Sequence, residues 1–132
     1  MVIFIDSNIP MYLVGAPHPN KDRTLALLTQ LVGDGERLVT SVEVYQEIIH
    51  RYIKIERPDA IDPAFRALDD VTDDVLSFGI SEVRDARELI RSGIGISSRD
   101  AIHVAVMRSA GTNRILSFDA GFDECPGIER LA

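Results

Sequence analysis

Short β-branched runs alternate along this chain with stretches of helical periodicity, and that alternation restricts the possible folds more than any other feature. The runs are Val2–Ile5, Arg37–Thr40, a weak one at Ser77–Ile80, Arg114–Ser117 and Ile128–Leu131. Val2–Ile5 is apolar on both faces, as a fully buried strand requires. Between the runs lie five helical stretches. Lys21–Val32 carries Leu25, Leu28, Leu31 and Val32 on one stripe, with Asn20 as its cap and Gly33-Asp34-Gly35 as its stop. Ser41 caps a helix to about Ile55, and Pro58 closes that stretch. Asp62-Pro63 opens another, read to about Leu76, because proline suits a first helical turn. Ser81 caps Glu82–Arg91, and Ser97 caps a helix through Ala110 that Gly111 ends. Strands separated by helices pair in parallel, with the helices covering the sheet. The expected fold is α/β, a three-layer α/β/α sandwich around a central parallel sheet of four to five strands. At 132 residues, 1–132 reads as a single domain.

Composition closes several other routes. Apolar residues at 45% and charged residues at 27% are globular values, which excludes a disordered tail and a disulfide-stapled miniprotein. The single cysteine, Cys125, excludes an intrachain disulfide and a zinc site built on cysteine pairs. It points to a reducing, cytoplasmic setting. Met1–Ile5 lacks a basic leader and a small-residue cleavage site, so no signal peptide is expected. No apolar run nears the ~18 residues of a membrane span. The formal net charge of −7 repels nucleic acid on average, so a nucleic-acid function needs bound cations or one basic ridge.

In open parallel sheets, ligands bind beyond the carboxyl ends of the strands. Asp6 follows the first strand directly, Asp119 follows the fourth by two residues, and the Ser41 helix carries Glu43 and Glu47. For Asp6 alone, turn chemistry in Asp6-Ser7-Asn8 is a sufficient explanation. Asp100 is different. It lies on Asp100-Ala101-Ile102-His103-Val104-Ala105-Val106-Met107, apolar on nearly every side, and a buried carboxylate needs a partner or a metal. A capping box, Ser97-x-x-Asp100, is the alternative. Glu43 and Glu47 share a helix face, on which Val44, Ile48, Ile49 and Tyr52 mark the buried side. Glu47 is the closer to it and is chosen; Glu43 reads as solvated. Acids gathered at one site stay ionised only beside a cation. With three histidines and one cysteine scattered along the chain, the oxygen-rich set favours Mg²⁺, or Mn²⁺, over zinc. Such ions support in-line phosphoryl chemistry and turn a repulsive pocket into one that accepts a phosphodiester.

The segments Ile3-Phe4-Ile5-Asp6-Ser7-Asn8, Thr40-Ser41 followed by Glu47, Arg99-Asp100-Ala101-Ile102-His103-Val104-Ala105, and Leu116-Ser117-Phe118-Asp119 followed by Phe122-Asp123 together resemble the PIN-domain ribonucleases. In particular they resemble the VapC-like toxins of type II toxin–antitoxin modules. Each motif is weak alone, and the order and spacing carry the likeness. The resemblance implies an α/β/α sandwich and an acidic quartet that maps onto Asp6, Glu47, Asp100 and Asp119. It implies Mg²⁺- or Mn²⁺-dependent endonucleolytic cleavage of RNA by a metal-activated water, a homodimer, and inhibition by a cognate protein antitoxin. Ser117 stands where threonine is common and keeps the hydroxyl. Asp123 is an alternative for the fourth acidic role, with a loop cap slightly preferred.

Other features stay open at this level. Asn8 orients Asp6 or serves the turn, and Ser7 and Ser117 are candidates to hold a carboxylate. His103 shares a helix side with Asp100; it reads as a core-edge histidine, with a metal or general-base role as the alternative. Arg84, Arg87 and Arg91 form a ridge, with Asp85 and Glu88 beside them as ion-pair partners; Arg51, Lys54 and Arg57 are similarly ambiguous. Met11–Val14 is either an interface or interior. Rival functions are a PIN-type RNA-processing nuclease that is not a toxin, a non-catalytic interaction module, and an aspartyl-phosphate phosphatase with Asp6 as nucleophile. The last needs an acid two residues on, where this chain has Asn8.

Overall fold

The computed structural model describes residues 1–132. Five strands, β1 (Val2–Ile5), β2 (Arg37–Ser41), β3 (Asp74–Leu76), β4 (Arg114–Leu116) and β5 (Glu129–Leu131), form one all-parallel sheet in the order β3-β2-β1-β4-β5. Six helices connect them: α1 (Asn8–Val14), α2 (Pro19–Gly33), α3 (Val42–Lys54), α4 (Ile61–Val71), α5 (Ile80–Arg91) and α6 (Ser98–Ser109). Crossovers between parallel strands are right-handed. The steps β1 to β2 to β3 run one way and place α1–α4 on one face. The return from β3 to β4 places α5 and α6, packed on each other, on the opposite face. The expected three-layer α/β/α sandwich is the architecture found.

β1 is the central strand because its residues are the most apolar: Ile3, Phe4 and Ile5 are fully buried. Burying each such side chain contributes roughly 1.5–3 kcal/mol. Leu38 and Val39 of β2, Ile115 and Leu116 of β4, and Val104 and Met107 of α6 complete the centre of the core. The direction of strand succession reverses at β1, which has β2 on one side and β4 on the other. A crevice therefore opens past the carboxyl ends of β1 and β4.

Several local expectations are corrected. The helix read to Leu76 stops at Val71, and the third strand lies at Asp74–Leu76, earlier than Ser77–Ile80. The cause is tertiary. Asp73 N–H donates to the Leu38 carbonyl (2.7 Å), and Asp73 Oδ2 accepts from Leu38 N–H (2.9 Å), pinning the segment to β2. The caps of two helices also shift by two residues. His18, not Asn20, caps α2 by accepting from Asn20 N–H (3.0 Å). Gly79, not Ser81, precedes α5, and Glu82 Oε2 accepts its N–H at 2.9 Å. Leu25 and Val32 are 49% and 63% exposed, and Thr24 is buried in the stripe instead. On α3, Ile49 is 43% exposed, while Val44, Ile48 and Tyr52 are buried as expected. Met11–Val14 belongs to α1 and is half-buried, packed on the core. The tail loop contains a short 3-10 turn at Ala120–Glu124. No helix is long and apolar enough to cross a membrane.

Candidate metal centre

β1 and β4 are paired neighbours, with Ile5 opposite Leu116, so the residues just past their ends, Asp6 and Ser117, stand side by side. Asp6 is 3% exposed. Both of its carboxylate oxygens are held. Oδ1 accepts from Ser7 N–H (2.7 Å), and Oδ2 accepts from the Ser117 hydroxyl (2.6 Å) and more weakly from the Asn8 amide (3.4 Å). Ser117 Oγ in turn accepts from Asn8 Nδ2 (3.2 Å) and from Asp119 N–H (3.0 Å). Asn8 Oδ1 accepts from Phe118 N–H (3.3 Å). One buried hydroxyl thus ties Asp6, Asn8 and the Asp119 segment together. Asn8 and Ser117 both have the orienting contacts that were open from the sequence.

Two helices bring the remaining groups. Glu47, in the middle of α3, contacts His103 of α6 through Oε1 and Nε2. His103 is fully buried, and its Nε2 also lies 3.8 Å from Asp6 Oδ1. Donor atoms of Asp6, Glu47 and His103 all lie within 4.8 Å of one another. His103 thus sits at the edge of the core, packed on Phe4 and Phe122, with its Nε2 turned to the acids. The available signal was its spacing of three from Asp100, which puts both on one side of a helix. Burial alone would lower the basicity of His103. The hydrogen bond to Glu47 and the charges of Asp6, Glu47 and Asp100 outweigh it and raise the imidazole above its ordinary value.

Asp100 sits in the first turn of α6, where Ser97 Oγ accepts from its backbone N–H (3.1 Å). The Ser97 cap is therefore real, and it leaves the Asp100 carboxylate free to face the crevice. Burial, followed by the charges of Asp119 and Asp6, pushes its pKa up to about 7. Asp119 begins the 3-10 turn by accepting from Gly121 N–H (2.8 Å). A Cβ at Gly121 would lie 3.0 Å from Asp119 Oδ1 and 3.9 Å from Asp100 Oδ2, so this glycine leaves room for the two carboxylates. Asp6 is likewise raised, by burial first, against the opposing pull of His103 and Ser117.

The two alternative acids part ways. Asp123 forms a two-pronged pair with Arg130 (3.0 and 3.0 Å), which lowers its pKa, while Arg130 also donates to the Ser117 carbonyl (3.2 Å). Asp123 therefore clamps the loop that carries Asp119. Glu43 lies half-buried on α3, raised by burial and by the charge of Glu47, and holds no hydrogen bond.

The carboxylates near the end of the central parallel strand come from segments far apart in the chain, at positions 6, 47, 100 and 119. The PIN domain family model aligns with residues 3–128. The chain belongs to the PIN-domain family. Two relatives, a protein named VapC ribonuclease Mb1869c from Mycobacterium bovis and one named Ribonuclease VapC13 from Mycobacterium tuberculosis, are each 51% identical over 131 residues. Those alignments cover 99% of this chain and 100% of each relative. The same fold recurs in the crystal structure of VapBC2 from Rickettsia felis, with a TM-score of 0.76 and 15% identity, over 99% of this chain and 98% of that one.

Proposed function

We propose that this PIN-domain protein is a metal-dependent endoribonuclease that acts as the toxin of a toxin–antitoxin pair. It hydrolyses phosphodiester bonds in RNA, is inhibited by a cognate protein antitoxin, and works as a homodimer. What supports this reading is that donor atoms of Asp6, Glu47 and His103 lie within 4.8 Å of one another, with Asp100 feeling the charges of Asp6 and Asp119 beside them, in a chain that aligns over 99% of its length with relatives named as VapC ribonucleases.

A divalent cation fits the residues present. Asp100 is pushed to about 7 by burial and by like charges, which is the condition that a bound cation relieves. The donors are mostly carboxylate oxygens, a hard set that favours Mg²⁺, with Mn²⁺ as substitute. Asp6, Glu47, Asp100 and Asp119 would hold the ion. Bound there, it supplies Lewis acidity toward water and toward the charge of a phosphodiester. Ser7, Asn8 and Ser117 fix the Asp6 carboxylate in one orientation before substrate arrives. His103 fixes Glu47 from behind. The burial of Asp6 keeps bulk water from competing for its oxygens.

The test measures RNA cleavage with Mg²⁺ or Mn²⁺, with a chelator, and with Asp6→Asn and Asp100→Asn. The expected result is cleavage by the wild type alone, lost by about a hundredfold or more in each variant. Added Mg²⁺ also raises the wild-type unfolding temperature but not that of Asp100→Asn. If both variants cut at the wild-type rate, the site assignment is wrong. The toxin role is checked separately by co-purification and inhibition with the product of an adjacent small reading frame.

A further inference from the structure

A cleft of about 490 Å³ opens beside the acidic rim, between α1, α3 and the first turn of α6. Its size falls in the ~300–1,000 Å³ span of ligand clefts. Glu47 is its one acidic lining residue, and the cations that line it are Arg51 and Lys54 of α3 and Arg99 of α6, with His50 among them. Of the 14 Lys and Arg side chains, six (Arg37, Arg57, Arg87, Arg91, Arg114 and Arg130) sit within 4.0 Å of a carboxylate. Arg51, Lys54 and Arg99 do not, so an acidic chain leaves three unpaired cations at one place.

Helix electrostatics explains only part of this. Arg51 and Lys54 lie in the last turn of α3, where cations are favoured. Arg99 lies in the first turn of α6, where the positive end of the helix disfavours it. It feels the charge of Glu43 without contacting it. An anion entering the cleft would offset that cost. The opposite wall is aromatic: the Tyr12 ring stands 5.2 Å from the rings of Phe118 and His18, which hold it in place. Phe118 directly precedes Asp119, so the ring that packs on Tyr12 adjoins the acidic rim.

We infer that this cleft seats an unpaired nucleotide of the RNA strand next to the scissile bond, its phosphate on Arg51, Lys54 and Arg99 and its base against Tyr12. The inference rests on the nuclease reading and names how that site grips its substrate. Cations that track the backbone, together with an aromatic surface for a base, suit single strands of varied sequence.

The test is fluorescence anisotropy of a labelled, mixed-sequence 12-nucleotide RNA with the full chain and Mg²⁺, in an Asp100→Asn background that leaves the strand intact. Arg51→Ala with Lys54→Ala should weaken binding tenfold or more. It should also flatten the plot of log Kd against log salt by about 1.4, which is ~0.7 for each contact to a single strand. Tyr12→Ala should weaken binding several-fold with little change in that slope, and Tyr12→Phe should restore it. Both cations are exposed, so a change in fold is checked by an unaltered unfolding temperature. An unchanged Kd and slope in the double variant overturns the inference, as does a wild type that binds no RNA. Loss of antitoxin binding with RNA binding intact also overturns it and assigns the cleft to an acidic protein segment. A wild type that binds RNA through these residues yet never cleaves it would refute the nuclease reading and leave the subsite standing.

Discussion

Replacing Ser117 with alanine tests whether the site depends on how its acids are held rather than on their presence alone. The hydroxyl donates to Asp6 at 2.6 Å and accepts from Asn8 at 3.2 Å and from Asp119 N–H at 3.0 Å. The first bond is to a charge and is worth ~1.5–3 kcal/mol, and each of the others ~0.5–1.5 kcal/mol. Water can replace the two weaker bonds, because Asn8 is half-buried and Asp119 exposed, but it cannot reach Asp6 at 3% exposure. The net destabilisation is therefore about 2–3 kcal/mol. At roughly 3–5 °C per kcal/mol for a domain of this size, the unfolding temperature falls by about 10 °C. Loss of such an orienting partner typically weakens metal affinity or activity by ~10–100-fold. Ser117 is also one of the groups that lower the Asp6 pKa against burial. Without it the pKa rises further, and the acid limb of the activity profile moves to higher pH. The assay is RNA cleavage titrated with Mg²⁺ across pH, beside thermal unfolding. Ser117→Thr restores the hydroxyl and should recover most of the activity, although its extra methyl enters a fully buried position and keeps the protein less stable. Wild-type metal dependence in Ser117→Ala, or a threonine variant no better than alanine, would refute the reasoning.

Two further outcomes follow from contacts outside the acid cluster. Arg130→Ala should change stability by only ~0.5–1 kcal/mol, since its pair with Asp123 is partly exposed, yet slow cleavage severalfold by loosening the loop that carries Asp119. Arg130→Lys should not restore the rate, because a point charge cannot bridge both Asp123 oxygens and the Ser117 carbonyl, and steady-state kinetics decide it. Glu82 accepts from Gly79 N–H, Ser81 and Ser109, which together hold its pKa at about 2 against an ordinary 4.5. A depressed pKa stabilises the fold above about 4.5 and loses that contribution as pH falls toward 2. Glu82→Gln should therefore flatten the acid side of the stability profile over that window, measured by denaturant unfolding, and leave it unchanged if the capping contacts are absent in solution.

The amino-acid sequence by itself determined the layered parallel architecture, because helix and strand periodicities are local and their alternation admits few topologies. It also marked the central strand, whose residues are apolar on both faces, and the acid placed directly after it. Asp100 stood out for the same local reason, a carboxylate on an apolar helix. Other features depended on contacts between distant segments. The end of α4 and the start of β3 were set by Asp73 pairing with Leu38, an interaction across 35 residues that no local propensity contains. The exposure of Leu25, Val32 and Ile49 was decided by which faces of α2 and α3 met the sheet. The standing of His103 changed most. Alone it is one more core residue, and only when α3 and α6 pack does its ring lie between Glu47 and Asp6. In the same way the ambiguous cations separated once the chain folded, Arg57 turning to Asp59 while Arg51 and Lys54 came to face a cleft beside the acids. Charge and apolarity are properties of single residues and can be read in order along a chain. Which charges confront one another is a property of three-dimensional distance, and the tertiary structure alone supplies it.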